Sequence, residues 1–303
     1  MSSIELEKNR LIKIDAFLFE KLLSTCTPKA KDWLVKKTET LNQDFHKNSF
    51  FLAYSASFRF LGKDEVIFSN EELETANNLC SFWNPQGMKQ FEIARLILFL
   101  RYPITDKIDY FETINKLFGI ADMGELAGLY RSLILYPFPE DFQFIVADGL
   151  RSNIKVVFES IALNNYYPSL YLNEGQWNQM ILKSIFNGSP LNKIIQLDQR
   201  ANPTLSRQLS DYANERWAAG RTVNPELWRV AAAYTDNQLL EQYKRLFSSV
   251  NEFERKAAAL ACATSKSEDA IALFNINLEY KKEIETQKLN WLDFSNEWYQ
   301  SLL

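Results

Sequence analysis

The stretch that decides the fold is DYANERWAAGRTVNPELWRVAA, residues 211–232. Its punctuation is helical. Asn224-Pro225, like Asn202-Pro203 upstream, offers a side-chain oxygen as a helix cap. The proline then takes the first helical position, where a missing N–H breaks no bond. Gly220, directly after WAA, supplies the left-handed residue that ends a helix. A link of about four residues joins the helix expected over 203–219 to that over 225–234, so the two should fold back as an antiparallel hairpin.

The same signals extend along the chain. Nine Gly and nine Pro in 303 residues leave little material for hairpin turns, and apolar residues recur at three- and four-residue spacing instead of alternating. The pattern predicts an all-α chain, with helices over 7–24, 28–43, 45–61, 70–83, 87–101, 106–118, 122–136, 139–150 and 152–164. It continues with 174–187, 189–196, 203–219, 225–234, 237–248, 251–264, 267–280 and 288–302. In the second half helices alternate with short links, and Ala257, Ala258 and Ala261 form a small-residue face. This texture predicts an irregular α-solenoid of stacked helical hairpins, HEAT-like in character, with a compact multi-helix bundle as the alternative. PFPEDF at 137–142 is the expected junction between N-terminal layers, 1–150, and a C-terminal repeat region, 151–303, unless the two form one continuous domain.

Composition removes several function classes. Apolar content of 47%, with 14% aromatic, excludes a disordered chain. With 34 basic against 38 acidic residues, the net charge of −4 provides no general field for a polyanion, so nucleic acid is not an expected partner. Cys26, Cys80 and Cys262 lack CxxC spacing and read as free thiols of a reducing compartment, which predicts a cytoplasmic location. Glu5, Glu7, Lys8, Arg10, Lys13 and Asp15 interrupt any signal-peptide core. No uncharged apolar run reaches about 18 residues. Peripheral membrane contact stays open.

Cofactor chemistry finds little purchase. His46 stands without a second ligand at metal spacing, so neither a zinc site nor a Ser-His-Asp triad is expected. No GxxxxGK[ST] occurs and no GxGxxG follows a strand, so no nucleotide cofactor is expected. What remains is carboxylate and guanidinium chemistry. Asp211 and Glu215 lie four apart on one stripe of the helix over 203–219, near Arg200, Arg207 and Arg221. In one reading the charges lock the hairpin while Trp217 and Trp228 fill the gap between its helices. In the other, a cleft opens at the hairpin mouth. There Arg216, Arg221 or Arg229 holds an anion, and Asp211 or Glu215 serves as a base.

Two further segments carry candidate residues. In NNYYPSLYLNEGQWNQMILKSIF, residues 164–186, Trp177 belongs to a core stripe with Met180, Ile181 and Ile185. Asn178 and Lys183 lie off that stripe, where they would line a pocket or a partner groove. The tail KLNWLDFSNEWYQSLL places Leu289, Leu292, Phe294, Trp298 and Leu302 near one side of a helix, as a terminal cap or a docking surface for another protein or the bilayer interface would; the lack of a flanking basic face favours the cap.

The words FESIALNNYYP, EGQWNQMILKSIFNGSPLNK and DYANERWAAGR followed by PELWR resemble the EboA family, proteins encoded in bacterial ebo gene clusters. The likeness is dense from 158 to 261; over 1–150 it lies in length and helical texture. The chain departs from the family word at Asn214, where a histidine is associated with it, and reads RVAA after LW in place of something closer to RCVG. The missing histidine weakens any catalytic role carried over from that word.

The resemblance implies a cytosolic component of an operon whose other products resemble a UbiA-type prenyltransferase, a TatD-type metal hydrolase, a sugar-isomerase-like protein and a dehydroquinate-synthase-like protein. It also implies secondary-metabolite handling, including movement of scytonemin precursors out of the cytoplasm. Two expectations follow. The first is a non-catalytic adaptor or scaffold that binds other ebo-cluster proteins or a small metabolite. The second is a cofactor-free enzyme or metabolite carrier, which requires Asp211, Glu215, Arg216, Arg221 and Lys183 to converge on one solvent-reachable cavity.

Overall fold

A computed structural model of the chain describes residues 3–302. The protein is all-α: among the described residues the one strand-like pairing is an isolated bridge between Glu65 and Lys89. Contacts divide the chain into two compact units, Met1–Ile161 and Ala162–Leu303. PFPEDF falls within the first, where Pro139–Phe142 form a 3-10 turn entered through a left-handed Phe138 (φ +55°).

The N-terminal unit contains α1 (Ser3–Thr25), α2 (Pro28–Gln43), α3 (Lys47–Phe60), α4 (Asn70–Leu79) and α5 (Gln90–Leu100). It continues with α6 (Lys107–Ile120), α7 (Met123–Arg131), α8 (Gln143–Arg151) and all but the last residue of α9 (Lys155–Ala162). Local chemistry sets the helix starts. Thr27 caps α2 ahead of Pro28, and Ser69 with Glu72 and Asp122 with Glu125 form capping boxes on α4 and α7. At the centre lies α5, QFEIARLILFL, buried along its whole length and packed on α1, α3 and α7. A helix buried on every side forms the middle of a core, and any charge it carries needs a partner there. Its two charged residues are neutralised: Arg95 pairs with Glu125 and Glu92 with Arg131.

The C-terminal unit contains α10 (Tyr167–Tyr171), α11 (Glu174–Asn187), α12 (Pro203–Ala218), α13 (Leu227–Ala231) and α14 (Asn237–Phe247). After these come α15 (Glu252–Thr264), α16 (Glu268–Ile276), α17 (Leu278–Glu285) and α18 (Trp291–Gln300). The alanine-rich α15 packs on α13, α14, α16, α17 and α18. Ala257, Ala258, Ala259 and Ala261 are fully buried on it, because side chains this small let several helices approach one axis.

Several expected helices differ in the structure. Residues 189–196 form only a 3-10 turn over Leu191–Lys193. Pro190 is extended there, the Leu191 N–H donates to Glu226, and the Lys193 carbonyl accepts from Asn164, so the bonds a helix needs are made elsewhere. The helix expected over 267–280 breaks at Asn277, whose φ of −92° and ψ of 69° leave the helical region while its Nδ2 bonds the Leu273 carbonyl. On α18, Phe294 is buried and Leu289 just before it is buried too, but Leu292 and Leu302 are exposed, so the expected stripe is narrower.

Candidate functional site

The quoted segment is built from its caps outward. Asn202 Oδ1 accepts from the Leu205 N–H at 2.8 Å and opens α12 ahead of Pro203. Gly220 (φ +67°) follows the other end, and the Arg221 N–H returns to the Arg216 carbonyl at 2.8 Å. Asn224 Oδ1 accepts from the Glu226 N–H at 3.0 Å, but residues 225–226 form a turn and α13 begins at Leu227. The hairpin mouth is tied by Arg216, whose Nε donates to the Thr222 carbonyl at 3.0 Å.

Inside the hairpin the two indoles stack. The Trp217 and Trp228 rings lie 5.6 Å apart with an interplanar angle of 23°, and Trp228 is fully buried with Tyr243 at its edge. On the outer face of this pair, the Arg245 guanidinium sits 4.0 Å from the Trp217 ring centroid. Trp217, Arg221 and Arg245, with Glu254 and the hydroxyls of Ser248 and Ser249, line an open cleft of about 530 Å³. Among the described residues neither Arg221 nor Arg245 joins an ion pair.

The other sequence candidates lie elsewhere. Asp211 accepts from Gln238 Nε2 at 3.0 Å, Glu215 is exposed on α12, and neither lines the cleft. Arg229 forms a two-point pair with Asp198 at 2.7 and 2.5 Å. Arg200 donates to the carbonyls of Pro168 (2.7 Å) and Leu172 (2.8 Å) while lying over the Trp177 ring at 4.5 Å, which fastens α10 to the core. Asn178 exchanges hydrogen bonds with Asn202 and so holds the residue that caps α12. Lys183, half-buried on α11, has its pKa lowered by desolvation. Hence Trp217, Trp228 and Arg221 come together, while Asp211, Arg216, Arg229 and Arg200 make separate ties between segments.

Sequence reasoning passed over Glu226, the buried acid in PELWR. Its carboxylate accepts from the Leu191 N–H at 3.1 Å, from the Tyr299 hydroxyl and from the Ser295 hydroxyl, joining α13 to α18 and to the loop after α11. Burial raises its pKa above the ordinary 4.5, outweighing these three donors. The native protein therefore holds this proton more tightly than the unfolded chain does. Stability from this group is complete below pH 4.5 and is lost as pH rises through the raised native value. Glu226→Gln is expected to flatten that decline in urea unfolding between about pH 4 and 8. Parallel slopes in the two proteins would show that the acid titrates alike in both states.

The family model described as "Metabolite traffic protein EboA" matches residues 14–232. The chain belongs to the EboA family. The match takes in most of the N-terminal unit as well as the hairpin, so family likeness reaches well beyond the words around 158–261, while α14 to α18 follow its end. Trp217, Arg221 and Glu226 fall inside the matched span; Arg245, Glu254, Ser295 and Tyr299 lie past it. No curated protein and no solved structure matches the chain. Among the described residues no helix is long and apolar enough to cross a membrane, and no group of three or more His, Cys, Asp or Glu is placed to hold a metal ion.

Proposed function

We propose that this EboA-family protein is a non-catalytic metabolite-handling protein that holds a planar anion in the cleft beside the α12–α13 hairpin. The observation that carries this reading is the Arg245–Trp217–Trp228 stack with Arg221 beside it. A flat ring gains contact on the guanidinium plane of Arg245, already backed by the two indoles, and Arg221 beside it offers a fork of donors to an oxyanion. Two guanidiniums against the one carboxylate of Glu254 favour a negative ligand. The two carboxylates that the sequence offered as a base, Asp211 and Glu215, lie off the cleft. In this reading the protein works in the cytoplasm as an adaptor that presents its metabolite to other ebo-cluster proteins. Packing of α12 on α13, α14 on α15 and α15 on α16 supports an arrangement as stacked hairpins.

Naphthalene-2-sulfonate is a suitable probe, because it is flat, singly charged and detectable through tryptophan quenching. Saturable binding is expected, weakened about tenfold by Arg221→Ala and by Arg245→Ala, the loss that corresponds to about 1.4 kcal/mol. Binding that survives both substitutions unchanged would remove the cleft from the proposal.

A further inference from the structure

We infer that the N-terminal unit carries a binding site of its own, for an apolar aromatic molecule that ends in an uncharged oxygen acceptor. Its centre is the buried guanidinium of Arg95. This residue is 6% exposed and sits on α5, where every neighbour in sequence is buried. Nε donates to the Tyr54 carbonyl at 3.3 Å and Nη2 to Glu125 Oε1 at 3.0 Å. Those two bonds use two of the five N–H groups of a guanidinium. The other three have no protein acceptor among the described residues, and the two on Nη1 are not sealed from solvent, so an entering group can reach them.

Arg95 is also part of a cavity wall. With Phe58, Phe91, Ile120, Arg59 and Glu125 it lines a space of about 520 Å³, inside the range of about 300–1,000 Å³ that small-molecule sites occupy. The Phe58 and Phe91 rings meet edge to face at 5.0 Å, and the guanidinium lies 5.3 Å from the Phe91 centroid. Phe58 is 43% and Ile120 61% exposed, so the apolar wall runs out to solvent. Aromatic walls leading to a buried donor suit a flat apolar body with an oxygen at its leading end.

Neither carboxylate here accepts from those remaining N–H groups, which leaves them to a ligand oxygen or to water. Glu125 Oε1 takes Arg95 and its Oε2 takes the Asp122 N–H at 3.2 Å, while Asp122 Oδ1 takes the Glu125 N–H at 2.8 Å. Charge decides what kind of oxygen fits. Arg59 and Arg95 are balanced by Asp122 and Glu125 along the wall. An anion would lose hydration without a net attraction, whereas a carbonyl oxygen meets free donors at a smaller desolvation cost. An aryl ketone has this chemistry.

The test uses the full chain and 6-propionyl-2-dimethylaminonaphthalene, whose emission shifts to the blue on leaving water. A saturable one-to-one blue shift is expected. Ile120→Arg places a charge at the exposed mouth, and Phe58→Ala removes part of the aromatic wall. Each should raise the dissociation constant about tenfold or more, while Arg221→Ala should leave it unchanged. Absence of saturable binding, or binding indifferent to both Ile120→Arg and Phe58→Ala, would overturn the site. Naphthalene-2-sulfonate displacing the ketone in a manner sensitive to Ile120→Arg, and with higher affinity, would overturn its preference for an uncharged oxygen. The site is independent of the hairpin cleft: Arg221→Ala reports on the sulfonate alone and Ile120→Arg on the ketone alone, so either can fail without the other.

Discussion

Trp228→Ala is expected to destabilise the protein by about 3–5 kcal/mol, the usual cost of emptying a buried tryptophan site. At about 2–4 °C per kcal/mol for a unit of this size, that is a fall of roughly 10 °C in the unfolding midpoint. The indole is fully buried, stacked on Trp217 and met edge-on by Tyr243, so alanine leaves a hole walled by two rigid rings that cannot close it. Among the described residues its Nε1–H has no hydrogen-bond partner. Trp228→Phe therefore gives up contact area but no hydrogen bond, and should cost less than half as much. Trp217→Ala, at a half-buried position, should cost less stability than Trp228→Ala but remove naphthalene-2-sulfonate binding, since its ring forms the cleft wall. A Trp228→Ala protein with the parent's thermal midpoint would show that the stack does not hold the hairpin.

The legible part of this arrangement is the part governed by neighbours in sequence. Asn202 and Pro203 announce the start of α12, and Gly220 follows its end, because capping is settled within one turn. The pairing of Trp217 with Trp228 also followed from the short link between their helices. Arg245, Ser295 and Tyr299 were not legible as partners of that segment. Ser295 reaches Glu226 across 69 residues, and no periodicity encodes a contact of that separation. The run 189–196 misled for a related reason: its apolar residues are spaced as in a helix, while its backbone bonds go to Glu226 and Asn164. Tyr167–Tyr171 was missed because five residues are too few to display a period. In the candidate site, Asp211 and Glu215 stood out because charges four apart share a helix face. The structure gives Asp211 to Gln238, and Glu226, whose neighbours in sequence are apolar, makes the buried network.

Arg95→Met should lower stability by about 3–5 kcal/mol, because it leaves the Glu125 carboxylate buried without its cation. Glu125 is 6% exposed and keeps one bond from the Asp122 N–H, too little to replace a guanidinium. The double variant Arg95→Met with Glu125→Gln removes both charges while an amide oxygen can still accept from Asp122 and complete the capping box of α7. It should recover most of the loss, since an uncharged pair of similar volume carries no desolvation cost. A double-mutant cycle by urea denaturation measures the coupling directly. A single variant no less stable than the double would mean that the pair is solvated in the native protein. The recovered double variant also separates packing from recognition. It refills the wall without restoring free N–H donors, and should therefore be folded and fail to bind the aryl ketone. A guanidinium kept in the core only for stability would have no such loss to show once the fold is restored.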